Sequence, residues 1–137
     1  MLKRISLLLI LLLPLPAMAE LVIVTGNQSL ISSLTDNEVR QLFSGQLRSL
    51  MGRRVQPLDL SSRDSAREQF YQKVMGRTPD QMRAYWTRLI FTGQGQPPRE
   101  VSNIREMETL LMSSAEYIGY LPESSLTGNM RVLYRIR

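Results

Sequence analysis

Val55-Gln56-Pro57-Leu58-Asp59-Leu60-Ser61-Ser62-Arg63-Asp64-Ser65-Ala66-Arg67 joins a strand to a helix through a turn of small polar residues. Val55 to Leu60 is short and largely apolar, as a buried strand should be. Pro57 within it implies either an edge position or a ladder that begins after it. Downstream, Ala66, Phe70 and Val74 recur at i, i+4 and i+8, Tyr71 widens the stripe, and Gly76 supplies a left-handed stop. A strand that hands over within a few residues to an amphipathic helix is the repeating unit of an α/β domain.

Reading outward from this unit supports the same class. Upstream, Leu21-Val22-Ile23-Val24 reads as a buried strand broken by Gly26-Asn27-Gln28-Ser29. Thr35 and Glu38 then form a capping box with Leu34 as staple, and Val39, Leu42 and Phe43 make the apolar face of a helix that stops at Gly45. Downstream, Thr78-Pro79-Asp80-Gln81 opens a second boxed helix with Pro at its first position, and Met82, Tyr85, Trp86, Leu89 and Ile90 line its inner face. Trp86 is expected in the core.

Thr92 to Pro98 carries two glycines and two prolines and must be a loop. It is no dinucleotide fingerprint, because it follows a helix and lacks the third glycine. Asn103 with Glu106 caps a further helix with Ile104, Met107 and Leu111 inward. Tyr117 to Leu121 and Met130 to Ile136 read as strands, the latter with Val132, Tyr134 and Ile136 on one face and Arg131, Leu133 and Arg135 on the other. The resulting order, strand-helix-strand-helix-helix-helix-strand-strand, predicts a mostly parallel or mixed sheet flanked by helices, with the first two strands as parallel neighbours.

The composition narrows the chemistry. With neither cysteine nor histidine among 137 residues, disulfides, thiol nucleophiles, imidazole relays and the usual zinc sites are excluded. An ordinary hydrolase is not expected, and neither a metal nor an organic cofactor is implied. Met1-Leu2-Lys3-Arg4, the apolar run Ile5 to Leu13 and Ala17-Met18-Ala19 together read as a cleaved secretory signal, residues 1–19. The run breaks at Pro14 and Pro16, short of the length that spans a membrane. The remaining 118 residues, 20–137, make one expected domain, exported and not membrane-embedded. They carry 15 basic and 12 acidic side chains, a net charge of +3. Fourteen of those cations are arginine, which favours bidentate contact with oxyanions, and export leaves little access to nucleic acid.

Ligands of open α/β sheets bind beyond the carboxyl ends of strands, which directs attention to the turn after Leu60. Ser61, Ser62, Ser65, Arg63 and Arg67 place three hydroxyls and two guanidiniums where a helix begins, a cradle for an oxyanion. A purely structural role explains the same residues: Ser62 caps the helix and Asp64 complements its dipole. Both readings stand on sequence physics alone.

Ser33-Leu34-Thr35 leading to Gln41-Leu42-Phe43-Ser44-Gly45, the Arg63-Asp64-Ser65 turn and Ile118-Gly119-Tyr120 add a resemblance. From Ser32 to Leu126 the chain is similar to the second half of phosphate-type substrate-binding proteins of ABC importers, which have the type II periplasmic binding fold. Against short, single-lobe exported relatives of that family, the likeness covers nearly all of residues 20–137. The resemblance implies a single lobe of that fold in the periplasm. It also implies phosphate or a similar oxyanion held at Ser61, Ser62, Arg63, Ser65 and Arg67, and a membrane transporter or receptor component as partner. Thr25-Gly26-Asn27-Gln28-Ser29 echoes the Thr-Gly-Ser loop of the family's first lobe. Ser65-Ala66-Arg67 stands where the family has its glycine-flanked helix start, and one lobe alone leaves an anion open to water. The alternative expectation is therefore an interaction or sensory module of the same fold that binds no ligand.

Overall fold

The computed structural model describes residues 12–14 and 19–137. The expected signal segment, residues 1–19, lies outside the described residues except for 12–14 and 19. Among the described residues no helix is long and apolar enough to cross a membrane.

The elements run β1 (Leu21–Gly26), α1 (Asp36–Phe43), β2 (Ser49–Leu50), β3 (Arg53–Arg54), β4 (Gln56–Asp59), α2 (Ser65–Phe70), α3 (Pro79–Phe91), β5 (Arg99–Glu100), α4 (Ile104–Ser113), β6 (Tyr117–Pro122) and β7 (Met130–Arg135). Both expected capping boxes form, Thr35 with Glu38 and Thr78 with Gln81, and Pro79 sits at the first turn of α3. The helix begun by α2 continues as a π turn over Tyr71–Met75, which Gly76 ends in the left-handed conformation at φ 61°. That wider turn keeps Tyr71 and Val74 both buried.

Five strands form one sheet in the order β5-β4-β6-β1-β7, and β2 with β3 makes a separate hairpin. β4 runs parallel to β5 and β6, while β1 runs antiparallel to β6 and β7. The sheet is mixed, as expected, but β1 and β4 are not parallel neighbours. β6 inserts between them, because the chain returns from its far end to pair with both. Pro57 fits as a ladder that starts late: Gln56 donates to the Glu116 carbonyl on the β6 side, whereas pairing with β5 begins only at Leu58.

Every residue of β1 is buried, so both faces of this strand are covered. α4 packs over β1, β6 and β7, and α1 over β4 and the π turn. α4 lays the Met107 side chain over Gly119, where an added Cβ would have to displace its sulfur. At the core centre Phe70 stacks on Tyr120 with centroids 3.8 Å apart, and Phe43 meets Phe70 edge-on at 4.8 Å. Trp86 is 7% exposed, within the core as expected. Ile90 is expected beside it but is 54% exposed: α3 meets the core through buried Met82 and Trp86 and half-buried Tyr85 and Leu89, and Ile90 lies outside that stripe. Leu133 likewise turns into the core at 4% exposure, since the β1–β7 register shifts between Ile23 and Val24 and upsets simple alternation along β7.

Candidate functional site

The chain leaves the sheet at the carboxyl end of β4 and turns through Ser61 to Asp64 into α2. The Asp64 N–H donates to the Ser61 carbonyl at 2.9 Å, and the Ser61 hydroxyl oxygen accepts the Arg63 N–H at 3.3 Å. The helix cap is Asp64, whose Oδ1 accepts the Ala66 N–H at 2.9 Å. Ser62 is therefore not the cap. Two residues nearer the helix, the aspartate combines the extended backbone and the acceptor that the position needs.

Ser61, Ser62, Arg63 and Ser65 share this turn, and the last three are exposed. Arg63 makes no ion pair among the described residues. Arg67 does not join them. Its Nε donates to the Tyr71 hydroxyl at 2.8 Å and lies 3.3 Å from Asp59 Oδ2, with Nη1 3.9 Å from Glu100 Oε2. The buried carboxylate draws the guanidinium down against the sheet, so Arg67 serves the fold beneath the turn. Glu100, on the adjoining β5, also accepts the Ser62 N–H at 3.4 Å. An internal carboxylate thus already lies at the place where an oxyanion would be received.

Beneath the turn lies a buried polar network that sequence reading did not identify. Asp59, 5% exposed, accepts short hydrogen bonds from the Tyr71 and Tyr120 hydroxyls, one on each carboxylate oxygen. The Tyr120 hydroxyl in turn accepts the Leu60 N–H at 3.2 Å. Desolvation raises the Asp59 pKa above the ordinary carboxylate value, although both tyrosines and Arg67 pull against it. Tyr71 and Tyr120 are pushed well above the ordinary phenol value, first by burial and then by the Asp59 charge. Burial lowers and Asp59 raises the Arg67 pKa, with a net rise. No buried polar side-chain atom among the described residues lacks a partner. The network joins β4, α2, the π turn and β6, and its atoms are consumed by one another rather than offered to a ligand. The one available signal was Asp59 itself, a carboxylate between Leu58 and Leu60.

The Thr25 to Ser29 loop is not brought to the turn. β1 is antiparallel to β4, and the pairings of Thr25 with Ile118 and of Pro57 with Ile118 put the end of β1 beside the start of β4. There Thr25 donates to the Tyr117 carbonyl at 2.9 Å, and Gln28 Nε2 caps α4 by donating to the Leu111 and Met112 carbonyls at 2.9 and 3.1 Å. The loop closes the fold at the end of the sheet opposite Ser61 to Ser65.

No family model matches the sequence, and no curated protein matches it. Solved structures do. The fold is similar to an ABC-type phosphate transport receptor from Vibrio cholerae, at 15% identity and TM-score 0.66, covering 84% of this chain and 45% of that one. A putative phosphate ABC transporter substrate-binding protein with bound phosphate from Clostridium perfringens matches at 11% identity and TM-score 0.67, with 84% and 44% coverage. PstS from Borrelia burgdorferi matches at 12% identity and TM-score 0.62, with 84% and 46% coverage. The chain spans less than half the length of each. Its fold is accordingly that of a single lobe of the type II periplasmic binding fold, a mixed sheet flanked by helices.

Proposed function

We propose that residues 20–137 form a periplasmic, substrate-binding-protein-like domain that contacts phosphate or a related oxyanion weakly at the Ser61 to Ser65 turn. The Ser61, Ser62 and Ser65 hydroxyls donate to the anion and Arg63 pairs with it, in reversible capture without covalent chemistry. The supporting observation is that these four residues share one turn at the carboxyl end of β4, with the Arg63 guanidinium exposed and in no ion pair among the described residues. The similarity to a protein whose structure holds phosphate adds to it. A partner in the membrane, a transporter component or a receptor, belongs to the same reading.

A second reading has its own observation. Arg67 is committed to Asp59, and the Glu100 carboxylate lies on the Ser62 N–H, which is the arrangement of a turn satisfied without a ligand. On that reading the domain is an interaction or sensory module. Melting temperatures in phosphate or sulfate against chloride at equal ionic strength separate the two. With a dissociation constant on the order of millimolar for a wet, one-sided site, ligand at ~10 times that concentration adds about 1.4 kcal/mol. Arg63→Ala should abolish the gain, and Glu100→Gln should enlarge it by removing the competing carboxylate. The variants also control for the general stabilisation that excluded anions give any protein. Equal gains in all three proteins would leave the interaction module as the function.

A further inference from the structure

At the end of the sheet opposite the Ser61 to Ser65 turn, an open groove of about 720 Å³ runs between the amino end of β4, α3 and the 93–98 loop. Apolar residues, Trp86, Leu47 and Pro97 among them, share its lining with Arg48, Arg54 and Arg99. Among the described residues no aspartate or glutamate lines it. None of the three arginines is in an ion pair among the described residues. Glu106 influences Arg99 only from beyond ion-pair distance, and its carboxylate is held by the Ser102 N–H at 2.7 Å. Glu116 is held by Gln56 at 2.8 Å.

Two of the guanidiniums are positioned without being used up. Arg48 Nη2 donates to the Gln94 carbonyl at 3.0 Å and Arg99 Nη1 to the Tyr117 hydroxyl at 3.4 Å, which leaves most of each five-donor fork free. Unneutralised arginines beside apolar lining residues complement one kind of occupant, apolar side chains flanked by carboxylates. The groove is open to solvent and bordered by the two-residue strands β3 and β5, so it can receive an extended chain.

We propose that this groove is a docking site for an acidic, leucine- or aromatic-bearing peptide segment of a partner protein. Carboxylates pair with Arg48, Arg54 and Arg99 while an apolar side chain covers Trp86. The site is independent of the oxyanion turn, which lies at the far end of β4.

A fluorescently labelled six-residue peptide of alternating glutamate and leucine tests it by anisotropy, and the protein's single tryptophan reports where the peptide sits. We expect saturable binding with a change in Trp86 emission, weakening as salt is raised. The double variant Arg54→Glu/Arg99→Glu should bind at least about tenfold more weakly, as expected when complementary charge is reversed. Both positions are exposed, and circular dichroism reports whether the fold is kept. The single variant Arg54→Gln should show a smaller loss in the same direction. Absence of saturable binding overturns the proposal, as do unchanged affinity in the variants and equal binding of a peptide with lysine in place of glutamate. Displacement of the peptide by inorganic phosphate at matched ionic strength would mark a small-anion site instead and equally overturn it.

Discussion

Replacing Tyr120 by Phe removes one oxygen atom from the centre of the molecule and almost nothing else. The ring is fully buried, stacked on Phe70 and edge-on to Phe43 at 5.8 Å, so packing survives the change and no large cavity opens. Two polar groups lose their partner: the Asp59 carboxylate loses a short hydrogen bond on Oδ1, and the Leu60 N–H loses its acceptor. A hydrogen bond to a charged group contributes about 1.5–3 kcal/mol, and a buried N–H left unsatisfied costs about 1–3 kcal/mol. The expected loss is therefore roughly 3–5 kcal/mol, a large part of the stability of a domain this size. Tyr71→Phe should cost less, about 1–2 kcal/mol, because Arg67 already lies 3.3 Å from Asp59 Oδ2 and can take up the vacated oxygen. Urea melts followed by far-ultraviolet circular dichroism measure both, with an unchanged m-value as the check that the same surface unfolds. A loss below ~0.5 kcal/mol for Tyr120→Phe, well under the cost of one unsatisfied buried group, would show that the network is not buried as described and would refute the reasoning.

Trp86→Ala should destabilise the fold by about 3 kcal/mol, the lower part of the range for emptying a large aromatic core site, because the ring also borders the groove; denaturant melts test it, and unchanged stability would make Trp86 a surface contact. The raised Asp59 pKa means that the folded state holds this proton more tightly than the unfolded chain does. The stability contributed by protonation is full below the unfolded value and is lost as pH rises through the folded one. The stability of the wild type relative to Asp59→Asn should thus fall with rising pH across the acid range, and a difference that rises instead would contradict the burial argument. Intact mass of periplasmic material should correspond to a chain beginning at Glu20, whereas retention of residues 1–19 in a membrane fraction would overturn the localisation.

Elements written in local chemistry were legible, and those written in distant pairing were not. The boxes Thr35 with Glu38 and Thr78 with Gln81 satisfy helix ends within four residues, so their sequence is their structure. The two-residue strands β2, β3 and β5 have no periodicity to read and exist because a neighbour supplies the ladder. The insertion of β6 between β1 and β4 is a choice between partners far apart in the chain, which crossover rules alone do not make. At the turn, hydroxyls and guanidiniums after a strand were visible as a group. That Arg67 would face Asp59 and Ser62 would face Glu100 depends on β5 and the π turn, contacts that no spacing encodes. Asp59 could be recognised as anomalous, but its partner Tyr120 lies 61 residues away.

The placement of β1 also sets the order of events when the chain folds. Its ladder partners are β6 and β7, the last strands of the sequence, with Leu21 opposite Pro122 and Val22 opposite Arg135. A chain that emerges amino end first therefore presents its most apolar strand with both edges open until nearly every other residue has followed. Closing so long a loop makes assembly slow and leaves the intermediate prone to association. The seam is made between the first strand and the last two, so the sheet cannot close until those late strands have been made.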